Sequence, residues 1–380
     1  MNKFVKVLFA LGLTVLMATP ALAEFSVYGS VRFDTFYTGT KAATGTTYAD
    51  GKDTHNTWDW GQAVNSRLGA KFANGALSGQ VELGTEGANN GNTVYTRLMY
   101  GVYKFDGGNL LVGQTYTPYT FFSEQVVDGD NGFIGYGALY DSRQPMVKVT
   151  LDNGLYLALI SPKDGAIVTG TSTTTVTVGT DANGNPVTND VTSDVTGSTK
   201  TFLPKIALGY DGAFGNVKAG GGVAYNGFTE KDAATGFSKT ISSYIAYLHG
   251  AIDLNPITLT ATAHYGQNLG NFGISGRESS VAIYENGTLK DSHSYGGFFQ
   301  VGYKVSETVK ANAGIGYVHD DNDTYVKADQ AMSYFVNAPI QIVKGFHVVP
   351  EFTYYDYMKN INDVKQGNKW EVGAKWQIDF

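Results

Sequence analysis

The sequence predicts an all-β protein, a transmembrane antiparallel β-barrel of 16 strands. Three observations predict this fold: an amphipathic final strand, many segments of alternating apolar and polar residues, and connections that alternate between short and long. In the final strand, 369–380, Trp370 and Phe380 share one face and Glu371 and Lys375 share the other. Because side chains of a strand alternate between its faces, one face of this segment is wholly apolar. Aromatic residues near both ends of an apolar face are typical of strands that cross a bilayer.

The first residues, 1–23, have the pattern of a cleaved signal peptide. Lys3 and Lys6 precede an apolar stretch of about 12 residues, and Ala21 and Ala23 supply the small residues of a signal-peptidase site. The stretch is shorter than the ~20 residues that a membrane-spanning helix needs. We therefore expect an exported protein in which residues 24–380 form the barrel.

The composition agrees with an exported barrel and excludes several classes of function. The chain has 48 Gly, 25 Tyr and 21 Phe but no Cys, which excludes disulfides, thiolate catalysis and cysteine-ligated metals. Acidic residues outnumber basic ones, 34 to 27, so no nucleic-acid partner is expected. The 6 His residues are scattered and match no hydrolase or metalloprotease motif. We expect no enzyme activity, no cofactor and no metal site.

Segments with a period of two residues define the predicted strands. Gly, Asn, Asp or Pro occupy most of the short connections, as at 74–75, where tight turns are expected. Longer loops follow every second strand, and this layout with an even strand number is typical of bacterial outer-membrane barrels. A large soluble β-sandwich or solenoid is the alternative, but neither requires alternating loop lengths. The predicted strands are 25–38, 58–73, 76–86, 93–105, 109–117, 144–152, 154–162, 201–211, 214–227, 239–252, 256–267, 294–305, 308–318, 331–343, 345–357 and 369–380.

The order of these features resembles that of the general porins of Gram-negative bacteria. The shared features are the signal peptide, an opening strand with Val27, Tyr28 and Gly29, the strand count, a long third loop and a terminal Phe380. The resemblance implies a water-filled outer-membrane channel, usually a homotrimer, for passive diffusion of small hydrophilic solutes and ions. It also implies that the third loop, 118–143, folds into the lumen as a constriction loop. Outer-membrane lipid and lipopolysaccharide are the expected surroundings.

Basic side chains are predicted to share one wall of the lumen. Arg32, Arg67 and Arg97 fall on inward positions of the first, second and fourth strands. At ~3.3 Å per residue and ~4.8 Å between strands, they lie at a similar height. Lys71 lies lower on this wall, and Glu82 is expected between Arg67 and Arg97. The four cations, called the basic wall, either brace the barrel through ion pairs or line the narrowest part of a pore.

The third loop carries the acidic residues Glu124, Asp128 and Asp130. By resemblance, an acidic loop facing an arginine cluster sets up a transverse field in the constriction. An ordinary solvated outer loop is the alternative. Further pore-lining positions are predicted on the first, fifteenth and sixteenth strands: Asp34, Glu351, Glu371 and Lys375. Because these charges are of mixed sign, the ion preference stays open.

Three functions are compatible with this pattern. The first is a general porin, the second is a substrate-selective channel for small organic acids bound by the Arg layer, and the third is a non-channel structural barrel or adhesin. Saturation of the current by organic anions would separate the first two. The long fourth loop, 163–200, is rich in Thr and alternates over 175–178, which predicts a hairpin beyond the membrane.

Overall fold

The computed structural model describes residues 24–85, 93–165, 168–180, 186–196, 198–232, 237–276, 279–285 and 288–380. The predicted signal peptide, 1–23, lies outside the described residues. The main sheet has 19 continuous stretches, which make 16 strands because three strands are interrupted. These strands are β1 (Glu24–Lys41), β2 (Thr54–Gln62 and Ser66–Asn74), β3 (Leu77–Thr85), β4 (Val94–Phe105), β5 (Gly108–Tyr116), β6 (Arg143–Leu151), β7 (Leu155–Ile160), β8 (Ser198–Thr201 and Lys205–Phe214), β9 (Val217–Asp232), β10 (Phe237–Asp253), β11 (Ile257–Gln267), β12 (Ser292–Lys304), β13 (Lys310–Asn322), β14 (Asp329–Asn337 and Ile340–Val343), β15 (Phe346–Asp356) and β16 (Asn368–Asp379).

The sheet closes on itself. Each strand pairs antiparallel with the next along the chain, and β16 pairs with β1 from Ser30 opposite Asp379 to Lys41 opposite Asn368. Closure removes the sheet edges, which is the condition for a sheet to lie in hydrocarbon. The predicted antiparallel barrel is confirmed, and each predicted strand is present with its ends moved by a few residues.

The two faces of the wall differ in exposure as the alternation predicts. In β1, the outward Val27 and Val31 are 60 % and 52 % exposed, whereas the inward Asp34 and Phe36 are 6 % and 1 % exposed. In β16, the outward Ile378 is likewise exposed. An apolar outer face is the face that lipid can solvate, because the bilayer interior offers no partner to a charge.

The connections follow the predicted alternation in length, with one turn misplaced. The fourth loop contains the expected hairpin, in which Val168–Thr180 pairs with Pro186–Thr196. The sequence predicts a turn at Asp211 and Gly212, but β8 continues past this point with Asp211 opposite Gly220. The chain reverses after Gly215, whose φ of 64° is rare for residues with a Cβ. Turn-forming residues occur both at 211–212 and at 215–216, and the pairing of β8 with β9 places the turn at 215–216.

Two loops contact the inward-facing side chains of the wall. They are the third loop, with the helical turn α1 (Val127–Asp130), and the loop after β11, with the helical turn α2 (Leu269–Phe272). Among the described residues, no helix is long and apolar enough to cross a membrane. The involvement of the loop after β11 is not predicted by the sequence. Loop residues and side chains of β6–β10 form one buried cluster: Tyr119, Leu139, Met146, Ala158, Ile160, Ala207, Ala224, Ile245, Tyr247, Leu269, Phe272 and Ile274.

The two loops meet at a pair of glycines. A Cβ added to Gly276 would lie only 2.6 Å from the Cα of Gly135. At the same contact, the backbone N–H of Ser275 donates to the carbonyl of Tyr140 at 2.8 Å. Only residues without side chains allow the two backbones to approach this closely.

Gly276→Ala is therefore expected to lower the free energy of unfolding by about 2–4 kcal/mol, from positive φ and overpacking together. Gly45→Ala is the matched control, because Gly45 also has a positive φ (83°) but nothing within 4 Å of the added Cβ. Urea unfolding in detergent measures both variants. Equal losses in the two variants would contradict the close loop contact.

Candidate functional site

A cavity of about 610 Å³ with many charged lining residues lies beside the basic wall. Side chains of β1, β2, β4, β5, β6 and β16 line one side, and the third loop lines the other. Its charged lining residues are the cations Arg32, Arg67, Arg97, Arg143 and Lys375 and the carboxylates Glu124, Asp128 and Asp130. Five cations face three carboxylates, so the cavity is cationic.

Glu82 lies between two cations of the basic wall. Its Oε1 is 2.7 Å from Nε of Arg97 and 3.7 Å from Nη1 of Arg67. Arg97 occupies a β-bulge, since the residues on either side of it pair with β3 and it has no partner there. The Arg97 side chain is 3 % exposed and donates from Nη2 to the Tyr116 hydroxyl at 3.0 Å. Arg97 is thus held rigidly, while the Arg67 side chain, 20 % exposed, is more open to the cavity.

Asp130 joins the third loop to β1 and β16. Its carboxylate forms an ion pair with Arg32 and another with Lys375, whose Nζ lies 2.6 Å away. The Asn65 side-chain amide also donates to it at 2.7 Å. Burial raises the pKa of the Asp130 carboxyl, but Lys375 and Arg32 outweigh burial and hold the pKa below its usual range. Asp130 and its neighbours Asp128 and Gly129 all have positive φ, a strained turn that these contacts hold in place.

Asp128 and Glu371 share one lysine. Nζ of Lys369 on β16 lies 3.1 Å from Oδ2 of Asp128 and 3.1 Å from Oε2 of Glu371. Glu371 also accepts a hydrogen bond from the Thr38 hydroxyl at 3.1 Å and is 3 % exposed. Glu371 therefore faces inward but is covered, and it does not line an open pore as predicted.

Glu351 also faces inward and is covered, because it holds the backbone of the third loop. Its two oxygens accept the backbone N–H groups of Val126 and Val127 at 2.8 and 3.1 Å. They also accept hydrogen bonds from Asn337 at 2.9 Å and Thr353 at 2.8 Å. Glu351 is 3 % exposed, so its predicted place on an open pore wall is corrected to an anchor for the loop.

Glu351→Gln is expected to loosen the third loop and to increase the noise of any open-channel current several-fold, because one amide oxygen cannot accept all four hydrogen bonds. Each buried donor left unpaired costs about 1–3 kcal/mol. Glu307→Gln is the control, since the Glu307 side chain is 88 % exposed and pairs with the exposed Lys304 rather than with the third loop. Current noise in planar bilayers is the measurement, and equal noise in both variants would contradict the anchoring role.

Three other predicted residues are placed as follows. Asp34 is buried and its Oδ1 has no hydrogen-bond partner, so it does not line open water as predicted. Lys71 is exposed with its Nζ 5.3 Å from the centre of the Tyr28 ring, outside the lining of the cationic cavity. Glu124 lines the cavity with an exposed side chain, while its backbone N–H donates to Gln300 at 2.7 Å. The basic wall therefore meets the cavity at its three arginines only.

Sequence reasoning missed Arg143, the first residue of β6. Arg143 lines the cavity, and its Cζ lies 5.1 Å from the centre of the Tyr116 ring. Its Nε is buried and has no hydrogen-bond partner in the part of the chain that the structure describes. The pairing of β5 with β6 could have indicated its position. Arg143 lies directly opposite Tyr116, at the point where the third loop leaves the wall.

Sequence reasoning also missed a buried ion pair at the end of the third loop. Nζ of Lys205 on β8 lies 2.6 Å from Oδ2 of Asp141, and the two side chains are 1 % and 2 % exposed. The Tyr119 hydroxyl donates to the same oxygen at 2.7 Å. Asp141 thus joins the end of the third loop to β8 and, through the Tyr119 hydroxyl, to the beginning of the same loop. No periodic pattern indicates such a pair, since it depends on the path of the loop.

Comparison with solved structures agrees with this geometry, whereas no protein-family model and no curated protein sequence matches the chain. The outer membrane channel DcaP of Acinetobacter baumannii is 16 % identical with a TM-score of 0.71, and the match covers 95 % of this chain and 99 % of that one. The chain has a porin fold. An anion-selective porin from Comamonas acidovorans is 12 % identical with a TM-score of 0.56, and the match covers 94 % of this chain and 100 % of that one. A trimer form of OmpT from Vibrio cholerae is 15 % identical with a TM-score of 0.53, and the match covers 94 % of this chain and 99 % of that one.

The porin fold and the apolar outer face together suit a barrel that lies in a lipid bilayer. At these identities the likeness concerns the fold, and the roles of individual residues rest on the contacts described above.

Proposed function

We propose that this protein is an outer-membrane porin, a water-filled channel through which small hydrophilic solutes and ions diffuse passively. The observation that carries the proposal is the cationic cavity enclosed between the third loop and the wall of a closed barrel. A charged cavity inside a barrel with an apolar outer surface suits the passage of water and ions. Fixed charges on the wall replace part of the hydration shell of a passing ion.

The third loop is proposed to fold into the lumen and form the constriction. It leaves the wall between β5 and β6, yet its contacts reach strands elsewhere in the barrel, through Gln300 on β12, Glu351 on β15 and Lys375 on β16. A second cavity of about 700 Å³, lined by connections such as 42–43 and 366–367, shares Asn131 and Ile134 with the cationic cavity. The segment 131–134 would separate an outer vestibule from the constriction.

The charges in the constriction favour anions. Asp130 compensates Arg32 and Lys375, and Glu82 compensates Arg97 and part of Arg67. Five lining cations against three lining carboxylates and the adjacent Glu82 leave an excess of one positive charge, which attracts anions and repels cations. The anion-selective porin of Comamonas acidovorans, which has the same fold, supports this preference.

Planar-bilayer recording tests the proposal. Purified protein is expected to insert as stepwise increases in conductance in potassium chloride. The complete absence of steps, with the barrel folded by circular dichroism, would overturn the proposal and favour a non-channel structural barrel or adhesin.

Substrate selectivity for small organic acids is the second candidate, favoured by the openness of Arg67 to the cavity. Under this proposal, micromolar to millimolar organic anions block the current, and Arg67→Ala or Arg97→Ala removes the block. Arg67→Ala is the cleaner variant, because Arg97 is buried and its loss leaves Glu82 without its shorter ion pair. Ohmic current without block would overturn selectivity and leave the general porin.

Assembly as a homotrimer is also proposed, supported by the resemblance and by the trimer form of OmpT. On the outer face of β1, β2 and β16, an apolar groove of about 810 Å³ is flanked by Trp58, Trp60 and Trp376. Tryptophan is enriched where protein surfaces associate. Migration of the unheated protein at three times the monomer mass would support a trimer, and monomer migration would count against it.

A further inference from the structure

Arg143 differs from the other cations of the cavity in having no compensating charge. Arg32, Lys375, Arg67 and Arg97 each form an ion pair, but none of the ion pairs within the described ranges includes Arg143. Its guanidinium lies over the Tyr116 ring with a buried Nε that has no hydrogen-bond partner. A guanidinium presents its donors in a plane, which matches the two oxygens of a carboxylate.

Three aromatic rings line the cavity beside Arg143. The ring centres of Tyr116 and Phe122 are 5.5 Å apart, those of Phe122 and Tyr140 are 5.6 Å apart, and those of Tyr116 and Tyr140 are 6.5 Å apart. Phe122 lines the cavity and is 41 % exposed. An exposed Phe gains little from its own packing, whereas a flat apolar group stacked on it would remove its surface from water.

We propose that Arg143, with Tyr116, Phe122 and Tyr140, forms a binding subsite for a small aromatic carboxylate. The carboxylate pairs with the guanidinium of Arg143, and the ring of the ligand lies against Phe122. The subsite rests on the proposed channel function, since it gives the constriction a preferred class of solute. An inorganic anion would use only the charge, and a neutral aromatic compound would use only the rings.

Isothermal titration of the purified full-length barrel with benzoate, acetate and benzyl alcohol tests the subsite. Benzoate is expected to bind about tenfold more tightly than either acetate or benzyl alcohol, since each lacks one of the two contacts. Arg143→Gln is expected to weaken benzoate binding about tenfold or more, and Arg143→Lys less, because it keeps the charge but loses the planar donors. Phe122→Leu is expected to lower the affinity for benzoate to nearly the affinity for acetate. Lys71→Gln is the control and should bind benzoate as the wild type does.

Benzoate binding that is unchanged in Arg143→Gln, or a wild type that binds acetate as tightly as benzoate, would overturn the subsite. If Arg143→Gln does not fold, Arg143→Lys and Phe122→Leu replace it as the test. A benzoate affinity equal to that of the wild type in both variants would overturn the subsite. Bilayer recording on the same preparations separates the two proposals. Stepwise conductance without preferential benzoate binding overturns the subsite alone, whereas benzoate binding without any conductance overturns the channel alone.

Discussion

Lys205→Met is expected to lower the free energy of unfolding by about 3–5 kcal/mol, because it leaves the buried carboxylate of Asp141 without its cation. The two side chains are 1 % and 2 % exposed and their charged atoms are 2.6 Å apart, so water cannot replace the lost partner. The Tyr119 hydroxyl and the Gln144 side-chain amide would remain as donors, but neutral donors compensate a buried charge only in part. Urea unfolding in detergent measures the loss.

The double variant Lys205→Met with Asp141→Asn is expected to recover more than half of this loss, since no buried charge remains. Lys304→Met is the control for removing a lysine, because the Lys304 side chain is 43 % exposed and its pair with Glu307 contributes about 0–1 kcal/mol at most. Similar losses in Lys205→Met and Lys304→Met would contradict the buried pair and its role in fixing the third loop.

Asp130→Asn is expected to raise the permeability of chloride relative to potassium by a factor of about 2–5, which is the effect of one charge a few ångströms from the ion path. Five cations would then face two carboxylates in the cavity, and Arg32 and Lys375 would lose their shared partner. The substitution keeps the shape of the side chain, so the turn at 128–130 loses charge with little change in volume. The reversal potential across a salt gradient reports the ratio.

Asp363→Asn is the matched control for this charge change. Asp363 pairs with Lys359 in the exposed loop before β16, where solvent screens it from the cavity. Its removal should leave the permeability ratio as in the wild type. Equal shifts in the two variants would show that Asp130 acts only through the overall charge of the protein.

The sequence was sufficient to place the strands and the side chains that depend on strand register alone. Glu82 lies beside both Arg67 and Arg97, where counting residues from the nearest turns puts it. The alternation of faces has a period of two residues, so a strand located to within a few residues still has its faces correctly assigned. The inward direction of Glu371 also follows from this rule, but its burial does not.

The sequence could not supply contacts that depend on the paths of loops. Glu351 was expected to face water, but it binds the backbone at Val126 and Val127, and no local pattern indicates which backbone will reach it. The same holds for the loop after β11, whose Phe272 is fully buried against strands far from it in sequence. The contacts of these two loops with inward-facing side chains of the wall are a tertiary property.

The basic wall combines both roles that the sequence left open. Arg97 is buried in a β-bulge and braces the wall through Glu82 and Tyr116. Arg67 is presented to the cavity, as is Arg143 outside the basic wall, and the positive charge of both is proposed to select the ions that pass. Bracing and selection are thus assigned to different members of one layer of arginines.

The reversal potential of the wild-type protein in a planar bilayer, under a tenfold gradient of potassium chloride, tests the central proposal most directly. A cationic constriction predicts stepwise conductance with a reversal potential displaced towards the chloride equilibrium potential, because anions pass more readily than cations. Displacement towards the potassium equilibrium potential would contradict the proposed constriction, and absence of conductance steps would contradict the channel itself.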